Sequence, residues 1–505
     1  MVNKTVPTHS AALFVQSSLQ IVLGLIVLLV VVGCDSNNDQ IAIAAPPADQ
    51  PAQPEPEPVV TPTQYLYTQT NDPRGNHVVL FTVSEQGTLS EQDSFETGGY
   101  GDADDNDFDS QGAVRILDNY LLTVNSGEEP SGTALTSAYS SVAVFEIAED
   151  GTLSRIDQDP DQAGIQNVDS RGIRAVSIDF FNTDDTTWVV VANQHSNRLC
   201  LTIESDDLAE CVDQYGNTVA DLLESEDTTG RNLQLFRFEN GRLNHVRELV
   251  AFTPRHGGPS QVTFSPDGRS IVTTLWGIPN ILYPADPTLL TPSRTMLWSF
   301  DSTVGEISVE RYFEHPGISG SVGFGWRPDS RFVYVSSFSL DASAADASVV
   351  ALDTQSSDAV FTSDGNSVWS GAGAIPVSER PAACWLWVNE AGDRVYTIAF
   401  RTNTVSTFET DGTGLDHLQT LARQGIDVGD SKDLFISADG KWAWVLGAYE
   451  THTISTFSVE EDGSLLELSD SPLEIQAARP EGENLSPLLQ AYQGLAGYPA
   501  GYVGY

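Results

Sequence analysis

The sequence predicts an all-β fold, a seven-bladed β-propeller of four-stranded antiparallel blades, on three observations. First, a unit recurs from about residue 65 to the end, each copy holding alternating apolar runs, a polar tight turn and a Gly-x-Leu signature. Clear copies are "PSQVTFSPDGRSIVTTLWG" from Pro259 and "SKDLFISADGKWAWVLGAYETHTISTFSVEEDGSLLEL" from Ser431. Repeats of roughly 40–50 residues built from short strands are the sequence form of propeller blades. Second, two families of turn markers alternate along the chain. One reads Gly87-Thr88-Leu89, Gly151-Thr152-Leu153, Gly241-Arg242-Leu243, Gly305-Glu306-Ile307, Gly412-Thr413-Gly414-Leu415 and Gly463-Ser464-Leu465. The other reads Pro266-Asp267-Gly268-Arg269, Pro328-Asp329-Ser330-Arg331, Ala391-Gly392-Asp393-Arg394 and Ala438-Asp439-Gly440-Lys441. Taken as outer and inner hairpin turns, they mark blades near 65–100, 110–157, 171–250, 259–314, 319–370, 381–424 and 431–471. Third, the first unit starts at "QYLYTQ" without an inner strand, while the tail "LLQAYQGLAGYPAGYVGY" offers one. Pairing of the tail with the first blade would close the ring and remove exposed edges; the Gly-rich tail could instead run along one face.

From the N-terminus, residues 1–33 read as a lipoprotein signal peptide. Ile21–Val32 is an apolar run, too short for a comfortable span of ~20 residues, and Gly33-Cys34 after it has the form of a lipobox. Cleavage there leaves Cys34 lipidated; an uncleaved anchor helix is the alternative, and both put the body outside the cytoplasm. Asp35 resembles an inner-membrane retention signal, so the periplasmic side of that membrane is expected, with the outer membrane or cell surface as the alternative. Residues 34–63 are a Pro/Ala-rich tether that cannot bury apolar surface. Residues 64–505 then form one propeller domain, because blades add almost independently. Insertions after Cys200, after Gly277 and around Asp341–Ala347 break the period and would ornament one rim.

A net charge of −46, from 70 acidic against 24 basic residues, excludes the basic footprint that nucleic acid or anionic lipid requires. It suits a solvated surface in an extracytoplasmic setting, and a monomer touching the membrane only through its lipid is expected. Cys200 and Cys211 flank a ten-residue segment able to close as a disulfide in an oxidising compartment. Cys384, in "AACWLWV", reads as a buried strand residue. No Gly-x-Ser-x-Gly elbow, Walker loop or dinucleotide fingerprint occurs.

The stretches "FETGGYGDADDNDFDSQGAV" with "YLLTVN", "GPSQVTFSPDGRSIV" and "PAACWLWVNEAGDRVYTIAFRTNTVSTF" resemble the seven-bladed lactonase family, in its secreted bacterial lipoprotein branch. That family is similar to propeller-type 6-phosphogluconolactonases and carboxymuconate lactonising enzymes. The resemblance spans nearly the whole body and implies hydrolysis or formation of a small anionic lactone. Its nearest local match to catalytic machinery is Pro254-Arg255-His256, similar to a Gly-Pro-Arg-His segment in the phosphogluconolactonase branch, although here two Gly and a Pro follow.

In a propeller, the segments leading into the inner strands converge on one mouth of the central channel. Those segments carry Asp109-Ser110-Gln111, Arg171 and Arg174, Arg255-His256, His315, Arg380 and Lys432-Asp433. One reading makes them an anion site. Arg255 and Arg380 would hold a carboxylate or phosphate and developing charge, His256 would act as general base, and Arg171, Arg174, Gln111 and Lys432 would line the site. The other pairs the cations with nearby acids as inter-blade salt bridges. An acidic loop with Asp102, Asp104 and Asp107 could ligate Ca²⁺ or simply be solvated; no cofactor is otherwise expected. His195 reads as a rim side chain, and Asn125 and Asn193 as turn ties. The alternative to a lactonase is a non-catalytic propeller binding a partner protein or cell-envelope polymer through the rim insertions.

Overall fold

The computed structural model describes residues 64–499, apart from 103–109, 128–139, 196–216, 276–292, 315–320, 338–347, 356–359, 363–382, 401, 413, 428, 449–450 and 477–491. Seven antiparallel sheets follow one another, five of four strands and two of five, and they form a seven-bladed β-propeller. The inner strands of blades 2 to 7 are Val114–Leu117, Ala175–Asn182, Pro259–Phe264, Ser321–Trp326, Ala383–Val388 and Ser431–Ile436.

Blade 1 draws its inner strand from the far end of the chain. Tyr492–Tyr498 pairs antiparallel with Gln64–Thr70, matching Tyr65 to Tyr498 and Thr70 to Tyr492, and Thr68 Oγ1 donates to the Gly494 carbonyl at 2.7 Å. The tail therefore closes the ring, as its spare strand predicts.

The Gly-x-Leu signature is the contact between successive blades. Gly305, at φ 70°, sits in the outer turn of blade 4, and a Cβ there would lie 2.6 Å from the Trp188 ring of blade 3. The same indole donates to the Ser302 carbonyl of that turn at 2.8 Å. Gly151, at φ 81°, meets Tyr65 in the same way, and Tyr67 donates to its carbonyl at 2.7 Å. A left-handed backbone and a close neighbour both require glycine there. The leucine two places on turns inward: Leu89, Leu153, Leu243 and Leu465 are all buried, each burial stabilising by about 1.5–3 kcal/mol.

Strand order gives the ring two unlike faces. Inner-to-second and third-to-outer connections are tight turns such as Asp118-Asn119 and Asn240-Gly241. Second-to-third connections and the links between blades emerge on the opposite face. The three expected insertions run from Asn193 to Asn232, Leu275 to Arg294 and Ser337 to Ser348, so their ends share that one face.

Candidate functional site

On the long-connection face, blade 3 opens with the turn Ser170–Arg174. Arg171 and Arg174 adopt left-handed backbones at φ 64° and 58°, as does His195 at φ 34° just after the second strand. The segments are tied together, Gln194 N donating to Arg174 O at 2.8 Å and His195 N to Ile173 O at 3.1 Å. Three non-glycine residues in this sparsely populated region, within one bonded cluster, mark a place where packing holds strained backbone.

Arg174 is buried and gives both Nη2 and Nε to Asp102 Oδ2, at 2.7 and 2.8 Å. His195 is buried, inside the rim and not on it. Its Nδ1 lies 2.6 Å from the Thr229 carbonyl, which can only accept, so Nδ1 carries the proton and Nε2 the lone pair. Burial first, then the Arg231 and Arg174 charges, push its pKa down to about 4, and the ring is neutral at pH 7.

The link into blade 4 abuts this cluster. A Cβ on Gly258 would fall on the Gln194 carbonyl, so only glycine allows these two segments to touch. Phe252 N donates to Arg231 O at 2.9 Å. Pro254–His256 forms a single 3₁₀ turn, against which the helix Val219–Glu224 packs, a piece of the blade 3 insertion begun by a Thr218–Asp221 capping box. The inner strand opens only afterwards, with Pro259-Ser260-Gln261. Arg255-His256 therefore lie upstream of the inner strand, in the 3₁₀ turn.

Arg255 is exposed and His256 half-buried. His256 Nε2 accepts from Arg294 Nη1 at 3.2 Å. Its Nδ1 is buried and meets no hydrogen-bond partner among the described residues. Burial, then Arg294 and Arg255, lower its pKa to about 4. Arg294 also binds Glu314 at 2.7 Å and lies 4.4 Å over the Tyr312 ring. Arg174, Arg231, Arg255 and Arg294 thus flank two neutral imidazoles in one sector of blades 3 and 4, in a chain with only 24 cations.

Arg171 shares the Ser170–Arg174 turn, but its side chain is exposed, 3.7 Å from Asp169. The remaining expected residues lie elsewhere. Gln111 reaches from blade 2 to blade 6, donating Nε2 to Leu386 O at 2.8 Å and accepting from Leu386 N at 3.2 Å. Beside it the Ser110 carbonyl accepts from Trp385 Nε1 at 2.8 Å. These blades are not neighbours, so the segment crosses the channel. Lys432 is fully buried beside Asp433. Burial raises Asp433 to about 7, against the pull of the Leu434 N–H, Arg115 and Lys432. Asp179, 3.7 Å from Arg115, is raised to about 6 by the same cause. Arg115 and Asp179 carry no sequence signal, standing inside the apolar runs "VRIL" and "SIDFF". Arg231 and Arg294 had none either, because they end insertions and are not part of lead-in segments.

Asn125 and Asn193 are buried ties, Asn125 Oδ1 accepting from Thr97 Oγ1 at 2.7 Å and Asn193 Nδ2 donating to Ser170 O at 3.0 Å. Cys384 is buried. Arg380, His315, Asp104, Asp107, Cys34, Cys200 and Cys211 lie outside the described residues. Among the described residues no group of three or more His, Cys, Asp or Glu could hold a metal ion, and no helix is long and apolar enough to cross a membrane.

No protein-family model and no curated protein sequence matches the chain. Solved structures do. A protein from Lactobacillus plantarum aligns with TM-score 0.53 and 12% identity, over 86% of this chain and 99% of that one. A periplasmic gluconolactonase of Pseudomonas aeruginosa aligns with TM-score 0.44 and 15% identity, over 71% and 84%. A candidate 6-phosphogluconolactonase of Bacteroides fragilis aligns with TM-score 0.43 and 14% identity, over 73% and 85%. At these identities the likeness is one of fold.

Proposed function

We propose that this chain is a lipid-anchored, extracytoplasmic propeller whose blade 3–4 sector binds a small anionic lactone, or its open-chain acid, and interconverts the two by hydrolysis or ring closure. The observation that carries the reading is the gathering of Arg174, Arg231, Arg255 and Arg294 around His195 and His256 in a chain of net charge −46. Guanidinium groups match carboxylate or phosphate and stabilise the oxyanion of a tetrahedral intermediate. His256 accepts from Arg294 through Nε2, so its lone pair is engaged and its part is to position that guanidinium. His195, oriented by the Thr229 carbonyl, has the tautomer a general base needs to take a proton from water at Nε2. The fold of lactonase-named neighbours is consistent with this chemistry without specifying it.

The test is lactone hydrolysis followed by pH-stat with the detergent-solubilised full chain. Turnover of an anionic lactone that falls by about 10²-fold or more in Arg255→Ala and His195→Gln supports the reading. No turnover of any lactone, or unaltered variants, overturns it. A binding role in which the insertions recognise a partner protein or envelope polymer is the second reading. It is favoured by the emergence of all three insertions on one face, and it fails if deleting residues 203–216 leaves every captured partner unchanged.

A further inference from the structure

The inner strand of each blade is a sheet edge facing the central channel, so part of its backbone N–H and C=O groups point away from the ladder. Buried groups of that kind must be satisfied from elsewhere. At two successive seams the preceding blade does this. Ser177 and Asp179 of blade 3 accept from the N–H groups of Val262 and Phe264 of blade 4, at 3.2 and 2.8 Å. Gln261 of blade 4 spans both backbone groups of Phe324 in blade 5, accepting from its N–H at 2.7 Å and donating to its carbonyl at 3.1 Å.

At the seam between blades 5 and 6 the preceding blade has no side chain to offer. Gly323 stands five residues before Pro328, as Gln261 stands five before Pro266, so it is the blade 5 counterpart of Gln261. A Cβ there would fall on Gln111 Oε1 and lie 2.8 Å from the Cys384 carbonyl and the Trp385 Cα of blade 6. Blade 5 approaches blade 6 too closely for any side chain at that position. Gln111 takes over from across the ring, holding both backbone groups of Leu386 as Gln261 holds those of Phe324. Its neighbours fasten the crossing: the Ser110 carbonyl accepts from Trp385 Nε1 at 2.8 Å, Gln111 N donates to Ser260 O at 3.3 Å, and Ile178 N donates to Gly112 O at 2.9 Å. Three consecutive residues are thus bonded to blades 3, 4 and 6. Gly112, at φ 80°, lies against Arg115, and a Cβ on it would be 3.0 Å from Nη2 of that guanidinium.

We propose that Ser110–Gly112 is a plug built into the fold, which seals the central channel at the long-connection face and screens Arg115 and Asp179 from ligands that reach that face. Both residues are buried, and a guanidinium open to the mouth would compete with the blade 3–4 sector for an anion. Gln111 is the fastener of this plug and not a ligand of the substrate. The plug stands whether or not the blade 3–4 sector turns over a lactone.

Two measurements on the detergent-solubilised full chain test it. Phenylglyoxal modifies accessible guanidinium groups, so peptide mass spectrometry of the treated wild type should find the exposed Arg171 and Arg255 labelled and Arg115 spared. In Gln111→Ala the labelling of Arg115 should quicken by about tenfold or more, and hydrogen exchange in segment 383–388 should rise by a similar factor. Segment 321–326, held by Gln261, should keep its protection and so separates release of the plug from general loosening. If Gln111→Ala does not fold, Gln111→Met, which keeps the bulk and loses both bonds, is read in the same way. Labelling of Arg115 in wild type at the rate of Arg171 overturns the plug. So does a folded variant in which Arg115 labelling or exchange in 383–388 is unchanged, or in which 321–326 loosens equally.

Discussion

Replacing Asp433 by Asn should stabilise the ring, and increasingly so as pH rises. Asp433 is buried in the inner strand of blade 7, and burial raises its pKa from 3.8 to about 7. A carboxyl whose folded pKa lies above its unfolded one contributes stability below the unfolded value and loses it as pH climbs through the folded value. The shift of about three units corresponds to about 4 kcal/mol between pH below 4 and pH above 7. Asn has the shape of the protonated acid and never ionises. Between pH 5 and pH 8 the stability of Asp433→Asn relative to wild type should therefore grow by about 3 kcal/mol. His195 and His256, both lowered to about 4, act in the opposite sense, costing stability as pH falls below 6.5. Asp179, raised to about 6, acts in the same sense as Asp433. The two histidines are present in both proteins and cancel in the difference, while Asp179 shares Arg115 with Asp433 and carries a part of it. Urea unfolding followed by tryptophan fluorescence at the two pH values reads it. A difference that is flat with pH, or that falls, would mean that Arg115 and Lys432 hold Asp433 ionised throughout, and the burial argument would be wrong.

Two further changes test the ring itself. A chain ending at residue 491 lacks the inner strand of blade 1, with the buried Tyr492, Leu495 and Ala496; it should aggregate or melt well below wild type by scanning fluorimetry and size-exclusion chromatography, and a monomer of unchanged melting temperature would refute closure by the tail. Gly305→Ala places a methyl 2.6 Å from the Trp188 ring at φ 70°, which should cost about 2–4 kcal/mol in urea unfolding through backbone strain and overpacking, whereas a neutral effect would show that the turn glycines do not seat one blade on the next.

The architecture was legible because its signals are local and repeated. Gly151-Thr152-Leu153 and Pro266-Asp267-Gly268-Arg269 each declare a turn through residues that few other conformations want, and the period then counts the blades. The spare tail strand was legible by subtraction. The site was less so, because a lead-in position fixes where the backbone enters but not where a side chain turns. Arg171 folds back to Asp169, Arg174 to Asp102, and Gln111 crosses to blade 6. Arg115 and Asp179 were hidden for the opposite reason, since a charge within an apolar strand gives no periodic cue until the strands are brought together.

The chain as a whole is strongly anionic, yet arginines stand nearest both imidazoles, and range explains how the two coexist. At physiological ionic strength the Debye length is about 8 Å, so most of the 70 acidic groups are screened from any one residue. What remains is the immediate shell. At His195 the Coulombic influences of Arg231 and Arg174 favour the neutral ring and Asp227 opposes them; at His256 Arg294 and Arg255 do so against Glu314. Both rings are shifted down, so burial and the arginines prevail in a protein that is strongly anionic overall. An anionic ligand would therefore be repelled weakly at long range and attracted only on close approach. Added salt should then raise its association rate by screening the 46 excess negative charges while weakening the final contacts.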